Sequence, residues 1–338
     1  MSEAATLSII IPAYRAEDHL GACLEGFRRQ TVGREQFELL VVDDHSPDAT
    51  ASIAERLGAT VLRHQENRGA AAARNTGAEA ARGEVLLFVD SDVVPEPDLV
   101  SGTLALFGLG GGSASEPPAR VATGRYRAEP ANDTAFARYK ALWTWFCWEE
   151  SGARQGESSH VQGSLTAIRQ DLFQALGGFD EGYQGGSVED YEFSLRLREQ
   201  GERIVFDDRL GGRHHFPDYR TCARNYWDRA RMWSRLASRG QGFSSGQASL
   251  RSAASAAFAL GSVAGHAIPV LGLPLALVSD LGYLATVAPF LRFVHRREGL
   301  RFTVYSAGVH WSLSALVGLA ALSSPLGSGS RQERREQR

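Results

Sequence analysis

The most constraining feature of this chain is the alternation of short apolar runs with helical patterns along its first hundred residues. Four buried strands are expected, at Leu7–Ile11, Phe37–Val42, Thr60–Leu62 and Val85–Val89. Three helices are expected between them, at 18–30, 48–57 and 70–81. Continuous Val, Ile and Leu strands that alternate with helices are typical of a parallel sheet covered on both faces. The sequence therefore predicts an α/β, Rossmann-like fold with a mainly parallel sheet.

Polar residues follow three of the four expected strands: Pro12, the pair Asp43-Asp44, and Asp90-Ser91-Asp92. In open parallel sheets, ligands bind at the carboxyl ends of the strands. Two carboxylates separated by one residue are able to hold a hard divalent cation such as Mg²⁺ or Mn²⁺, which is commonly shared with substrate phosphates. An isolated Asp-x-Asp also occurs in ordinary solvated turns, so its significance depends on the other motifs.

The second half of the chain mixes helices and strands. A Gly-, Ser- and Pro-rich segment at 108–119 is expected to separate a nucleotide-binding half, 1–107, from an acceptor-binding half, 108–240. Strands are expected at 162–168 and 204–206, and helices at 138–148, 171–176, 190–200 and 219–236.

Three side-chain types outside the Asp-x-Asp are candidates for chemistry. Asp190 opens an expected helix, where it either favours the helix dipole or serves as a general base toward an acceptor hydroxyl. Arg74 either lies on a solvated helix face or offers its planar guanidinium to a nucleotide. One imidazole of the pair His214-His215 is suited to complete an oxygen-rich metal site.

Charge and cysteine content exclude several classes of protein. The net charge is −3 and the pI is about 6.3, which does not indicate a nucleic-acid-binding protein. The three cysteines show neither a disulfide framework nor zinc-ligand spacing, which fits a reducing, cytoplasmic location. Because Pro12 follows only five apolar residues, the first strand is too short for a signal peptide.

The C-terminal region, 241–330, is apolar and ends in a basic tail at 331–338. Residues 252–279 and 302–330 contain no Asp, Glu, Lys or Arg, and each window exceeds the roughly 20 residues that span a bilayer. We expect membrane association through 252–326, with a buried helical subdomain as the alternative. A hairpin within 252–294 would keep the basic run at 295–301 on the cytoplasmic side, and 303–326 would then be re-entrant or interfacial.

Taken together, these motifs resemble those of inverting family 2 glycosyltransferases of the GT-A fold. The resemblance extends over about residues 6–216. It rests on SIIIPAY at 8–14, VVDDHSPDAT at 41–50 with His45 where Gly is commoner, NRG at 67–69, ARNTG at 73–77, FVDSD at 88–92, GFDE at 178–181, and ED at 189–190. It implies single-displacement transfer from a nucleotide sugar to an acceptor hydroxyl.

The resemblance also implies roles for individual residues. On the nucleotide-sugar side it implies Pro12, Tyr14, Asp43, Asp44, Arg74, Asp90 and Ser91, with Asp43 and Asp44 at the base and Asp90 at the nucleoside. Asp92 would hold Mg²⁺ or Mn²⁺, helped by Asp90 and by one of the two histidines, with His215 favoured and His214 left open. Asp190 would deprotonate the acceptor, and the acceptor side would also include Phe179, Asp180 and Glu189.

The donor expected from the resemblance is a UDP-sugar, with GDP and dTDP left open. The acceptor is expected to be a glycan or a lipid-linked molecule at the cytoplasmic face of the cell membrane. Processive members carry a QxxRW motif, and the nearest segment here, 229–233, has Met232 before Trp233. The resemblance therefore implies addition of a single sugar.

Two other functions remain open at this point. A nucleotidyltransferase would also use an α/β sheet and acidic metal ligands, but it usually has a Gly-rich basic phosphate loop after the first strand, which residues 12–17 do not form. A non-catalytic scaffold would bind partners through the aromatic- and Arg-rich segments 138–148 and 219–236, although such helices are more often core or interface elements.

Overall fold

The computed structural model describes residues 6–109, 118–150, 156–182, 189–237, 250–268 and 272–323. The chain divides after Phe216 into two compact units, 1–216 and 217–338. Most of the predicted loop at 108–119, half of the segment 150–160 and the whole basic tail at 331–338 lie outside the described residues.

The first unit is built on one sheet. Within the described residues its strands are β1 Leu7–Ala13, β2 Phe37–Asp43, β3 Thr60–Arg63, β4 Val85–Val89, β5 Val93–Pro95, β6 Val121–Tyr126, β7 Leu165–Arg169 and β8 Ile204–His214. Their order in the sheet is β3-β2-β1-β4-β7-β6-β8-β5. The four strands from β3 to β4 are parallel, and the strands β7 and β5 run antiparallel to their neighbours.

Helices connect these strands. They are α1 Leu20–Arg28, α2 Thr50–Arg56, α3 Ala70–Ala80, α4 Leu99–Leu106, α5 Ala135–Glu150, α6 Gln170–Ala175 and α7 Glu189–Glu199, with a 3₁₀ turn at Arg34–Gln36. Every residue of β1, β2 and β4 is buried. The buried side of α1 is formed by Leu20, Cys23, Leu24 and Phe27, which recur at helical spacing. The predicted parallel sheet with both faces covered is therefore present.

Part of the sheet was not expected. The strand predicted at 204–206 continues to His214, because its polar second half pairs with β6 and then with β5. Arg125 of β6 donates to both oxygens of Asp208 at 2.7 and 3.1 Å, so charged residues are held in the sheet by an ion pair. The strands β5 and β6 and the helix α4 were also not predicted.

The carboxyl ends of β1 and β2 lie side by side, since Ala13 is paired with Asp43. Just beyond these strand ends, Arg15 and His45 adopt left-handed backbone angles, with φ of 51° and 63°. These two turns direct the chain sharply away from the sheet at the edge where Asp43 and Asp44 lie.

The second unit is helical in its described residues. It contains α8 Tyr219–Ala237, α9 Leu250–Ala267 and α10 Leu273–Ser323. Gly299, with φ 78° and ψ 179°, divides α10 into two arms. Both arms pack against α9 through a cluster of Ala259, Tyr283, Val287 and Ala315. The predicted domain boundary at 240/241 differs from this arrangement, since α8 groups with the second unit.

Among the described residues, α10 is the one helix that is long and apolar enough to cross a membrane. Its most apolar 18-residue window has a mean hydropathy of 1.4, and 28% of that window is buried within the protein. Large apolar side chains are exposed along α10, among them Leu273, Leu277, Val278, Leu281 and Leu322.

Candidate active site

A cleft opens at the carboxyl edge of the parallel strands. Its lining comprises Pro12, Ala13, Tyr14, Asp44, Ala70, Ala73, Arg74, Asp90, Ser91 and Asp92. Seven of these ten are residues that the sequence analysis assigned to the nucleotide sugar or the metal. The fold thus brings together residues of four motifs that are far apart in the chain.

Asp44 is held in place by the loop before α3. Its Oδ1 accepts hydrogen bonds from the backbone N–H of Arg68 at 2.9 Å and from Nδ1 of His64 at 2.7 Å, and its Oδ2 accepts from the N–H of Gly69 at 2.7 Å. The other imidazole nitrogen of His64 lies 2.9 Å from Thr76 Oγ1. A carboxylate offers about four acceptor positions. One position on Oδ2 of Asp44 therefore remains for a ligand.

Asp43 has a different environment from Asp44. It is buried, and its Oδ1 accepts a hydrogen bond from the backbone N–H of Ser46 at 3.1 Å. It is not among the residues that line the cleft. Its carboxylate therefore stabilises the turn that contains His45 in a left-handed conformation.

Asp92 lies in the loop between β4 and β5, beside the end of β8. Its Oδ2 is 3.3 Å from Nε2 of His214. Its Oδ1 and the Nδ1 atom of His214 are both buried and have no hydrogen-bond partner among the described residues. Burial alone would raise the pKa of Asp92, but the charge of His214 and its hydrogen bond outweigh burial, and the pKa is lowered. Burial raises the pKa of Asp90 even though Arg74 acts in the opposite direction.

These atoms fit a divalent cation. The unsatisfied Oδ1 of Asp92 is a hard oxygen donor of the kind that Mg²⁺ and Mn²⁺ prefer. In the described ranges, no group of three or more His, Cys, Asp or Glu side chains is arranged to enclose a metal. A cation held here would therefore need further ligands from a bound substrate or from water.

The two adjacent histidines occupy different surroundings. The ring of His214 packs against Tyr126 and Phe216, with both centroid distances 4.4 Å. His215 donates its backbone N–H to the carbonyl of Asp92 at 2.7 Å, and its ring stacks on His19 at 5.7 Å. The sequence analysis favoured His215 over His214 as the partner of the metal, whereas the structure brings the ring of His214 to the Asp92 carboxylate.

Arg74 lies between carboxylates rather than on a solvated face. Its guanidinium is 4% exposed and donates to Asp90 Oδ1 at 2.7 Å and to Glu189 Oε1 at 3.1 Å. Burial would lower the pKa of Arg74, but the charges of Asp90, Glu189 and Asp190 together raise it. Arg74 therefore stays charged and joins the loop after β4 to the start of α7.

The motif GFDE at 178–181 docks on α3 through Asn75. The side chain of Asn75 donates to the carbonyl of Phe179 at 2.8 Å and accepts from its N–H at 2.9 Å. Phe179 itself is 2% exposed and packs against Phe88 and Phe193, so its side chain belongs to the core rather than to an acceptor surface. The Oδ1 atom of Asp180 accepts from Gly182 N at 2.8 Å within a local turn.

Asp190 lies in the first turn of α7, next to Glu189. Its Oδ1 accepts from the N–H of Tyr191 at 2.9 Å, and its Oδ2 lies 3.5 Å from the N–H of Gly163. Glu189 is buried, whereas Asp190 is partly exposed. The carboxylate of Asp190 is thus oriented by backbone donors while part of its surface stays accessible.

Sequence reasoning did not identify His64, His19 or the bridging role of Arg74. His64 lies 20 residues from Asp44, and Glu189 lies 115 residues from Arg74. Such pairs have no local sequence pattern. Of these residues, only His19 had a weak sequence signal, because it directly precedes α1.

One protein family matches the part of the chain that contains these residues. The family model described as glycosyl transferase family 2 matches residues 8–177, about half of the chain. This range includes the Asp43-Asp44 pair, Arg74 and the Asp-x-Asp motif, and it ends just before the GFDE motif.

Curated relatives match over part of their length. The putative glycosyltransferase EpsH of Bacillus subtilis (strain 168) is 42% identical over 100 residues, 28% of this chain and 28% of that protein. Glycosyltransferase AglE of Haloferax volcanii is 28% identical over 62% of this chain and 66% of its own length. The validoxylamine A glucosyltransferase of Streptomyces hygroscopicus subsp. limoneus is 31% identical over 58% of this chain and 48% of its own length. The chain thus covers less than two thirds of the length of each of these relatives.

Solved structures share the fold. The mannosyltransferase PcManGT from Pyrobaculum calidifontis, in complex with GDP-Man and Mn²⁺, has a TM-score of 0.55 and 19% identity over 94% of this chain and 86% of that chain. TarS 1–349 of S. aureus, in complex with UDP-GlcNAc, has a TM-score of 0.51 and 16% identity over 95% of this chain and 93% of that chain. At these identities the likeness shows the fold alone, and the predicted fold class is confirmed.

Proposed function

Because this chain belongs to glycosyl transferase family 2 and has the GT-A fold, we propose that it transfers one sugar from a nucleotide sugar to an acceptor hydroxyl, with inversion. The observation that carries this proposal is the cleft in which Asp44, Asp90 and Asp92 meet at the carboxyl edge of the sheet. Asp190 follows Glu189, the partner of Arg74, and would face the acceptor.

On the donor side, Asp44 recognises the base. The unused acceptor position on its Oδ2 suits a ring N–H, which both uracil and guanine present. Tyr14 borders the cleft with 44% of its surface exposed, and its ring offers a stacking face. We take a UDP-sugar as the donor on the sequence resemblance. The solved structures of similar fold contain GDP-Man and UDP-GlcNAc, so GDP-sugars belong in the same test.

A divalent cation, Mg²⁺ or Mn²⁺, would be held by Asp92 with help from Asp90 and from His214 or His215. When bound, such a cation neutralises the charge that develops on the leaving diphosphate and orients it. Asp92 is suited to this role by its unsatisfied Oδ1, and His214 fixes the orientation of the carboxylate through its contact with Oδ2.

On the acceptor side, Asp190 acts as the general base. It removes the proton from the acceptor hydroxyl while that oxygen forms a bond to the anomeric carbon and the bond to the diphosphate breaks. The proton ends on the Asp190 carboxylate and the leaving group is the nucleoside diphosphate. One displacement inverts the anomeric centre and requires no covalent nucleophile, and base assistance of this kind contributes about 10²–10⁴-fold.

We further propose that the second unit holds this reaction at the cytoplasmic face of a membrane. The apolar helix α10 carries exposed leucines, and the run His295-Arg296-Arg297 gives it a basic segment before Gly299. Basic residues favour the cytoplasmic side and anionic headgroups. A lipid or lipid-linked glycan is then the natural acceptor, because it is held at the same surface.

Donor turnover tests the transferase. Detergent-purified full-length protein is incubated with UDP-, GDP- and dTDP-sugars and Mn²⁺, and the released nucleoside diphosphate is measured. We expect release from one donor, lost with chelator and in Asp92→Ala and Asp190→Ala, but kept in the control Asp171→Asn, an exposed aspartate on α6. Pyrophosphate release from a nucleoside triphosphate and a sugar phosphate would show a nucleotidyltransferase instead, and metal-dependent binding of donor without any turnover would show a scaffold.

Vesicle flotation tests the membrane location. The full chain is mixed with phosphatidylcholine vesicles that contain or lack an anionic lipid. Binding to the anionic vesicles, reduced in Arg296→Glu/Arg297→Glu, is the expected result. Equal recovery in the unbound fraction with and without vesicles would contradict membrane association.

A further inference from the structure

Arg74 contacts both a carboxylate of the donor side, Asp90, and the residue next to the proposed base, Glu189. It reaches Asp90 with one terminal nitrogen and Glu189 with the other, at 2.7 and 3.1 Å. Glu189 is followed directly by Asp190 in the first turn of α7. The guanidinium therefore connects the edge of the parallel sheet with the helix that carries the proposed base.

The surroundings of Arg74 hold this bridge in one geometry. The Cζ atom lies 5.6 Å from the centre of the Phe179 ring. On another side is Gly163, where an added Cβ would lie 3.5 Å from Cζ of Arg74 and 3.6 Å from Cβ of Asp190. The N–H of Gly163 also lies 3.5 Å from Oδ2 of Asp190. Gly163 thus lies close to both the guanidinium and the proposed base.

This geometry differs from direct binding of the nucleotide by Arg74. The two terminal nitrogens donate to Asp90 and Glu189, and the side chain is 4% exposed although it borders the cleft. Only its Nε is buried without a hydrogen-bond partner among the described residues. A guanidinium forms two directed bonds in a fixed planar fork, so it sets the separation of the groups that it joins. A lysine in its place would be a point charge without this fork.

We infer that Arg74 and Glu189 form a positioning pair that fixes the placement of the base Asp190 relative to the donor-side carboxylate Asp90. The inference rests on the proposed function, since it assigns Asp190 as the base. An in-line displacement requires the acceptor oxygen, the anomeric carbon and the leaving oxygen to be aligned. A displacement of about 1 Å of one reacting group can lower the rate by about 10²-fold. Glu189 acts through Asp190 and contacts neither donor nor acceptor.

The test separates donor binding from turnover. UDP and GDP binding with Mn²⁺ is measured by calorimetry, and the hydrolysis of the donor found in the panel gives kcat and KM. In Glu189→Gln, which keeps the size of the side chain but removes its charge, we expect kcat to fall by about 10- to 100-fold while nucleotide affinity changes by less than about 3-fold. In Arg74→Lys, both kcat and nucleotide affinity should fall, because Asp90 also loses the guanidinium hydrogen bond to its Oδ1.

Controls distinguish positioning from folding. Glu192→Gln removes a glutamate on the same helix that pairs with Arg196, and it should change neither kcat nor affinity. Glu189→Asp keeps the charge and shortens the side chain, so it should fold like the wild type, with an intermediate kcat. Melting temperatures of all variants show whether a loss of kcat follows a loss of fold.

Three results would overturn the inference. One is an unchanged kcat in Glu189→Gln; another is an equal loss of kcat and affinity in Glu189→Gln; the third is a loss of kcat that tracks the melting temperature across the variants. Absence of nucleotide release by the wild-type protein itself would instead refute the proposed function, and the inference with it.

Discussion

Nε2 of His214 lies 3.3 Å from Oδ2 of Asp92, so the end of β8 meets the loop between β4 and β5. The pairing of Val93 with His214 in neighbouring strands sets this distance. The short strand β5 begins directly after Asp92, and at the edge of the described sheet its neighbouring strand is β8. The orientation of the Asp92 carboxylate therefore depends on the strand that the sequence analysis predicted only in its first three residues.

Replacement of His214 should affect the metal-dependent step more than replacement of His215. His214→Asn removes the ring that contacts Asp92, and loss of a group that orients a metal ligand typically costs 10- to 100-fold in metal affinity or activity. His215→Asn keeps the backbone N–H that bonds to Asp92 and should cost less. The measurement is nucleotide release as a function of Mn²⁺ concentration. A larger loss in His215→Asn would support the assignment made from the sequence resemblance.

Gly178→Ala should destabilise the first unit. Gly178 has φ 72°, and an added Cβ would lie 2.6 Å from Asn75 Oδ1, the atom that accepts from Phe179. Gly177→Ala is a matched control, because Gly177 has φ 77° but nothing within 4 Å of an added Cβ. The left-handed backbone costs an L-residue about 1–2 kcal/mol, and only Gly178→Ala also disrupts the contact with Asn75. In urea unfolding, Gly178→Ala should have a lower free energy of unfolding than Gly177→Ala. Equal losses of stability in the two variants would show that the contact with Asn75 contributes nothing.

His45→Gly should raise the free energy of unfolding. His45 is exposed and has φ 63°, so its side chain contributes little packing while its backbone is in the left-handed region. Glycine relieves about 1–2 kcal/mol of this strain and loses about 0.4–1 kcal/mol through the greater entropy of the unfolded chain. The expected net gain is about 0.5–1 kcal/mol, read from the urea midpoint. His45→Val introduces a β-branched residue and should lower the free energy of unfolding. A stabilised His45→Val variant would refute the argument.

Acidification should destabilise the protein through His160. Its ring is stacked between Trp148 and Tyr191, and burial, followed by the charge of Arg198, lowers its pKa to about 4. The unfolded chain binds this proton below about pH 6.5 and the folded protein only below about pH 4. The unfolded state therefore holds more protons in that window, and stability falls as the pH decreases from about 6.5 to 4. The loss is about 3 kcal/mol, as 1.36 kcal/mol corresponds to one pKa unit.

His160→Phe provides the comparison for this pH effect. Phenylalanine keeps an aromatic ring between Trp148 and Tyr191 but does not titrate. The difference in unfolding free energy between the wild type and His160→Phe is measured at pH 7 and pH 4.5. The wild type should lose more stability than the variant over this interval. Parallel losses would show that His160 does not control the acid sensitivity.

The first four strands and the helices between them could be predicted because their pattern is local. Apolar residues dominate β1, β2 and β4, and β4 was predicted at its observed bounds. The strands β5 and β6 were missed for physical reasons. β5 has only three residues, and β6 includes Gly124 and Arg125, whose charge is satisfied by Asp208 and Glu149 far away in the chain.

The same contrast holds at the site. Carboxylates at strand ends could be predicted, because strand direction and sheet topology bring them to one edge. What each carboxylate contacts could not be predicted. Asp43 supports a turn, Asp44 binds a loop and His64, and Arg74 bridges two acids, and each of these outcomes depends on the packing of distant segments.

The pairing of β5 with β8 has a consequence for biosynthesis. Asp92 and His214 are about 120 residues apart, and at a synthesis rate of about 5–20 residues per second the ribosome needs roughly 6–24 s to make the intervening chain. Until β8 has emerged, the parallel strands and the Asp-x-Asp exist without the partner that anchors them. The contact between Asp92 and His214 is therefore unable to form before nearly the whole first unit has been translated.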